Sequence, residues 1–258
     1  MLSRVSRPLA IAALVAVASA CGADSSVAPV SQHADLTQIF DELSFSDLGL
    51  TAAFAGLTDA VPEFPALTPT SCSYASASQS FACPAYKIGG VNVTQSYALL
   101  NGAGVPQPAF DPATTAAVRM NTALAGTLPS GGTNAAIDGT QTLTLSGLLT
   151  GTHVLDGSST THMKDFSDGT SGPVNLTIAT TIDKLVLPKS TATLGTSSWP
   201  ASGTIAVTYS SEYNGFPDSS FSVQLTFSGT SKVAIVFTVD GVTDRCTMDL
   251  ASANPTCG

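Results

Sequence analysis

Charge is the first thing this sequence lacks. Asp, Glu, Lys and Arg make up only 10% of its 258 residues, where an ordinary soluble domain carries about a quarter. Basic residues are scarcest. The 9 Lys and Arg face 18 Asp and Glu, for a net charge of −9, which leaves no basic footprint for nucleic acid or for anionic lipid headgroups. No Gly-x-Ser-x-Gly elbow, His-Glu-x-x-His helix or phosphate-cradling glycine loop occurs, so the chemistries that need those geometries have no seat. Gly169-Thr170-Ser171-Gly172 comes near but stands between Asp168 and Pro173 and reads as a turn. Heptads and a sustained internal repeat are also missing, and a 43% hydrophobic content excludes an acidic disordered chain. The expectation is a non-enzymatic protein with no cofactor.

Hydroxyls supply the missing polarity: Ser and Thr are about a quarter of the chain. The length suits one large domain or two small ones, with a sizeable core. At the start, Arg4 and Arg7 precede an apolar run from Leu9 to Ala20, broken only by Ser19. At about 1.5 Å per residue this run is too short to cross a hydrocarbon core of about 30 Å, and it reads as a secretory signal over 1–20.

Ala18-Ser19-Ala20 offers small residues before a cut, and Cys21 follows. The string Val17-Ala18-Ser19-Ala20-Cys21-Gly22 resembles the lipobox of bacterial lipoproteins. That resemblance implies cleavage before Cys21, diacylation of its sulfur, and residence in the cell envelope. Gly22 after the Cys implies the outer membrane in double-membrane bacteria. Ala18 stands where the family prefers Leu, which keeps a soluble secreted product as the alternative. Acyl chains at about 0.8 kcal/mol per buried CH₂ make a stable anchor when two or three act together. Loss of Arg4 and Arg7 leaves 7 basic against 18 acidic residues, a mature charge of −11. The segment 21–34, containing GADSSVAPVS, reads as a flexible tether.

A β-rich domain is expected over 35–258, opened by a helical segment at 35–57. Leu36, Ile39, Phe40 and Leu43 follow Asp35 at helical spacing, predicting one short helix there and a second over 47–57. Pro62, Pro65 and Pro69 then end helical structure. From Cys72 onward the pattern is strand-like, with the longest runs at 137–155, 158–166, 174–187, 203–213, 220–228, 232–240 and 242–250. Asp-Gly pairs at Asp138, Asp156, Asp168 and Asp240, with Asn214-Gly215, suit hairpin turns.

Register follows from the alternation. A three-residue loop Ser228-Gly229-Thr230 would pair Phe227 with Ser231, Leu225 with Val233, Val223 with Ile235 and Phe221 with Phe237, and so gather one apolar face. A turn at Asp240-Gly241 then sets Ile235 against Cys246 and Val233 against Met248, with Asp244 opposite Phe237. The fold class expected is a mainly β, long-stranded antiparallel meander. It would be a curved sheet, a half-barrel or a sandwich.

Of 5 cysteines, Cys21 is taken by the lipid. The rest form two local pairs. A turn centred on Ala77-Ser78 would place Cys72 opposite Cys83 and Tyr74 opposite Phe81. We expect Cys72/Cys83 as a hydrogen-bonded pair of the wider kind, at about 5.5 Å between Cα atoms. Cys246/Cys257 would clip the C-terminal tail to the last strand. Neither pair has zinc or redox spacing.

His153 and His162 flank Asp156-Gly157. A two-residue turn there would make them diagonal neighbours on one face, able to hold Zn²⁺ or Cu²⁺ if carboxylates joined them. Asp156 sits in that turn and Asp165 has the wrong parity, so two solvated histidines are the simpler expectation.

Three functions remain: an envelope protein with a structural or interaction role, a carrier, and an enzyme with an unrecognised site. In the carrier, the sheet would enclose an apolar ligand against Phe221, Val223, Leu225, Phe227, Ile235 and Phe237. The expected half-barrel with helices resembles, in architecture alone, the lipoprotein carriers of the LolA/LolB type, which implies a lipid or acyl-chain ligand. The partners expected are the membrane, through Cys21, and an envelope protein or an apolar ligand.

Overall fold

The computed structural model describes residues 72–88, 90–130, 133–166, 173–187, 199–250 and 254–257. The signal segment, the tether, the helical segment 35–57 and Asp168-Gly169 lie outside the described residues.

The described chain is built from strands. In order they are β1 (Ser73–Ala75), β2 (Ser80–Ala82), β3 (Tyr86–Ile88), β4 (Val91–Asn101), β5 (Pro106–Gln107), β6 (Thr115–Ser130) and β7 (Thr133–Ser146). There follow β8 (Val154–Phe166), β9 (Val174–Val186), β10 (Ser202–Tyr213), β11 (Phe216–Phe227), β12 (Lys232–Val239), β13 (Val242–Asp249) and β14 (Asn254–Cys257). They make one antiparallel sheet in the order β1-β2-β4-β6-β7-β8-β9-β10-β11-β12-β13-β14, with β3 and β5 added along the outer edge of β4. Apart from those two additions, strands next to each other in the sheet are consecutive in the chain. The sheet is an open meander whose ends, β1 and β14, do not pair. At about 20–25° of twist per strand pair, a path this long coils instead of lying flat.

Two of the expected turns form as expected. Asp240-Gly241, at φ 46° and 85°, joins β12 to β13, and Asn214-Gly215, at φ 54° and 79°, joins β10 to β11. Positive φ at both central residues is the turn that matches strand twist. The Asp138 and Asp156 pairs do something else. Asp138 lies inside β7, opposite Ala125 and His162. Asp156 lies inside β8, where pairing with β9 shifts between Leu155 and Gly157, and its Oδ1 accepts the Lys184 N–H at 2.7 Å. The chain turns earlier, through Gly147 and Gly151 at φ 81° and 69°. Their neighbours close that turn, with the amides of Thr150 and Gly151 both donating to the Gly147 carbonyl. The run expected over 137–155 is therefore cut at Ser146.

The β11–β12 register is also displaced by two residues from the expected one: Phe221 faces Val239, Val223 faces Phe237 and Leu225 faces Ile235. A two-residue shift keeps side-chain parity, so the apolar face is the same in either register and the loop decides. Gly229, at φ 78°, donates to the Pro200 carbonyl, and Thr230 Oγ1 accepts the Lys232 N–H at 3.2 Å. The longer loop wins. Across β12–β13 the pairs Ile235–Cys246, Val233–Met248 and Phe237–Asp244 stand as the alternation requires.

One face of the sheet carries the core. A transverse row runs from Tyr74 in β1 through Phe81, Tyr97, Leu143, Ile205 and Ile235 to Cys257 in β14. Leu155, Leu185, Ile205 and Ile235 are all at or below 1% exposure, and such burial stabilises by about 1.5–3 kcal/mol per side chain. Close strand approach uses glycine: a Cβ on Gly126 would lie 2.3 Å from the Gly90 carbonyl oxygen. The other face is hydroxyl-rich, with Thr140 and Thr142 exposed on β7. That polarity is the reverse of a lipid-facing barrel wall.

Candidate functional site

Both cysteine pairs are disulfides, each with 4.1 Å between Cα atoms. Tyr74 pairs with Phe81, as the hairpin register requires. The Cα separation corrects one expectation: Cys72/Cys83 is the close, non-hydrogen-bonded kind of cross-strand pair. The reason is β4, since the Cys83 amide donates outward to the Gln95 carbonyl at 3.0 Å. The two staples hold the two opposite edges of the sheet.

The histidines are not brought together. His153 precedes β8 and His162 lies within it, so the nine residue steps from one to the other span about 30 Å of extended chain. His153 is half-buried, and burial lowers its pKa below the usual 6.5 because the charged form loses solvation. Its carbonyl accepts the Leu187 amide at 2.8 Å. His162 is exposed, faces Asp138 across β7–β8, and places Nδ1 3.0 Å from Thr177 Oγ1. Among the described residues no three His, Cys, Asp or Glu cluster as a metal site.

The six apolar residues expected to line a cavity do share the core face. Val223, Leu225, Phe227, Ile235 and Phe237 are buried to 7% exposure or less. Phe221 is half-buried and stacks on Tyr209 with ring centroids 4.9 Å apart. They pack in the core.

The core face is not apolar throughout. One row down from Tyr97 and Leu143, it carries Gln95, Thr122, Gln141, Ser159 and Thr180 on β4, β6, β7, β8 and β9, each the register partner of the next. All five are half-buried. Beyond β9 the row turns apolar with Val207, Val223 and Phe237 before ending at Asp244. Beside this band stands Tyr97, 8% exposed, whose hydroxyl has no hydrogen-bond partner among the described residues; burial raises its pKa. On β6 the core-facing Val118, Met120 and Leu124 are half-buried and pack against the core. The sequence holds the signal for the band: Gln141 has the parity of Leu143 and Leu145, but its Thr neighbours draw attention to the opposite face.

The arrangement offers neutral hydrogen-bond groups, hydroxyls and glutamine amides, between apolar rows. No protein-family model, curated protein or solved structure matches the chain.

Proposed function

We propose that the chain is exported, cut before Cys21, and anchored by lipid on that residue in the cell envelope, in the outer membrane where there are two. Its folded part serves there, without catalysis, as a structural or protein-interaction module. The observation that supports this reading is the pair of disulfides at both sheet edges, bonds that persist in an oxidising compartment, downstream of the string Ala18-Ser19-Ala20-Cys21. Disulfide staples suit a domain that must stay folded outside the cytoplasm. Fractionation tests the anchor. The native chain should sediment with membranes and Cys21→Ser should be soluble; a soluble native chain would end this reading.

A second reading, a carrier for an apolar ligand such as a lipid or acyl chain, is favoured by one observation. Along β6 the core-facing Val118, Met120 and Leu124 are only half-buried where they pack on the core, and this strand is where a ligand would approach.

A further inference from the structure

We propose that the core face over β6 to β9 binds the uncharged, oxygen-bearing head of a long-chain amphiphile, an ester or alcohol, with its hydrocarbon chain along the apolar rows alongside. This rests on the carrier reading and names its ligand class.

Three observations converge. The first is the band Gln95, Thr122, Gln141, Ser159 and Thr180, five hydrogen-bonding side chains at adjacent register positions on a face that is otherwise core. Half-buried, these groups can pair with water or with the polar atoms of a ligand. The second is the Tyr97 hydroxyl, buried and unpartnered on the same face, two residues along β4 from Gln95. In a strand, residues two apart project to the same side, so the hydroxyl is a donor held ready beside the band. The third is access: Thr122 stands on β6 between Met120 and Leu124, and all three are half-buried.

Charge decides which head fits. No Asp, Glu, Lys, Arg or His has core-face parity on β4, β6, β7 or β8, or from Val174 to Ile182 on β9. The row's carboxylate, Asp244, is four strands beyond Thr180, about 19 Å along the sheet at the usual strand spacing. A carboxylate or phosphate head would go unpaired at a heavy desolvation cost, whereas glutamine amides and hydroxyls can both donate to and accept from an ester or alcohol.

The test uses the full chain with Cys21→Ser, so that its own lipid cannot compete, and equilibrium dialysis against radiolabelled 1-monooleoylglycerol and oleate at pH 8. The two share one acyl chain and differ in head charge. Monooleoylglycerol should bind one per chain, about tenfold or more tighter than oleate, the scale of one to two hydrogen bonds. Gln141→Leu and Tyr97→Phe should each weaken it several-fold with thermal stability kept or raised. Thr142→Val, on the opposite face, should leave binding unchanged. Oleate binding as tightly, or Gln141→Leu binding monooleoylglycerol like the parent, would overturn the head-group assignment and leave the carrier reading standing. Binding of neither lipid would overturn both.

Discussion

Cys246 stands directly opposite Cys257 across β13–β14, and the bond between them closes the last hairpin at the free edge of the sheet. Cys72–Cys83 does the same at the first edge. Each encloses a short loop, so each should contribute about 2–3 kcal/mol in the chain-entropy account. Denaturant titration of Cys246→Ser/Cys257→Ser should show a lower midpoint by that amount. A midpoint equal to the parent's would mean the edges hold without their staples.

Glycine substitutions should separate close approach from open space. Gly126→Ala puts a Cβ 2.3 Å from the Gly90 carbonyl oxygen, whereas at Gly102 a Cβ meets nothing within 4 Å. The first should cost roughly 2 kcal/mol or more, as overpacking does, and the second should lie within about 0.5 kcal/mol of the parent. Gly241→Ala isolates the backbone term: nothing crowds its Cβ, but φ is 85°, so a loss of about 1–2 kcal/mol is expected. Thermal melts of the three variants check the order.

Ser211 is a buried hydroxyl with a full set of partners. It is 3% exposed, lies 3.2 Å from Asp218 Oδ2 and 2.9 Å from Ser219 Oγ, and accepts the Ser219 amide at 3.2 Å. These bonds fasten the bulge where β10–β11 pairing shifts between Ser211 and Glu212. Ser211→Ala should destabilise by about 1–3 kcal/mol, because the partners stay behind. Thr208→Ala, exposed on the same strand, should stay within about 0.5 kcal/mol. Equal midpoints for the two variants would contradict this.

Acid should act on His153. Its folded pKa lies below the usual 6.5 because burial disfavours the imidazolium, so the unfolded chain takes up the proton first. Its share of stability is therefore complete above pH 6.5 and is lost as the pH falls toward the folded value. Between pH 7.5 and 5, the melting temperature of the parent should fall more than that of His153→Gln. Parallel pH profiles would show that the histidine is indifferent to folding.

The β architecture was legible because alternation reports parity directly. Ile235 and Cys246 could be set opposite each other because a two-residue Asp-Gly turn leaves no freedom in the count. Where the loop length was open, as between Phe227 and Lys232, parity survived but the partner of Leu225 did not. Asp156-Gly157 misled for a related reason. The same dipeptide tolerates a bulge as readily as a turn, and the Lys184 amide that fixes it lies 28 residues away. Because the chain runs on through Asp156-Gly157 in β8, His153 and His162 stay apart. The polar band escaped notice because no single strand reveals it: Gln95, Thr122, Gln141, Ser159 and Thr180 become a row only when five registers are known together.

The proposed function has a stapled β domain exported and anchored through Cys21. Intact-mass spectrometry of the chain purified from its own membranes tests both parts at once. The expected mass is that of a chain beginning at Cys21, carrying a diacylglyceryl group, with the Cys72–Cys83 and Cys246–Cys257 bonds intact. An unmodified Cys21, or four free thiols among the remaining cysteines, would contradict it.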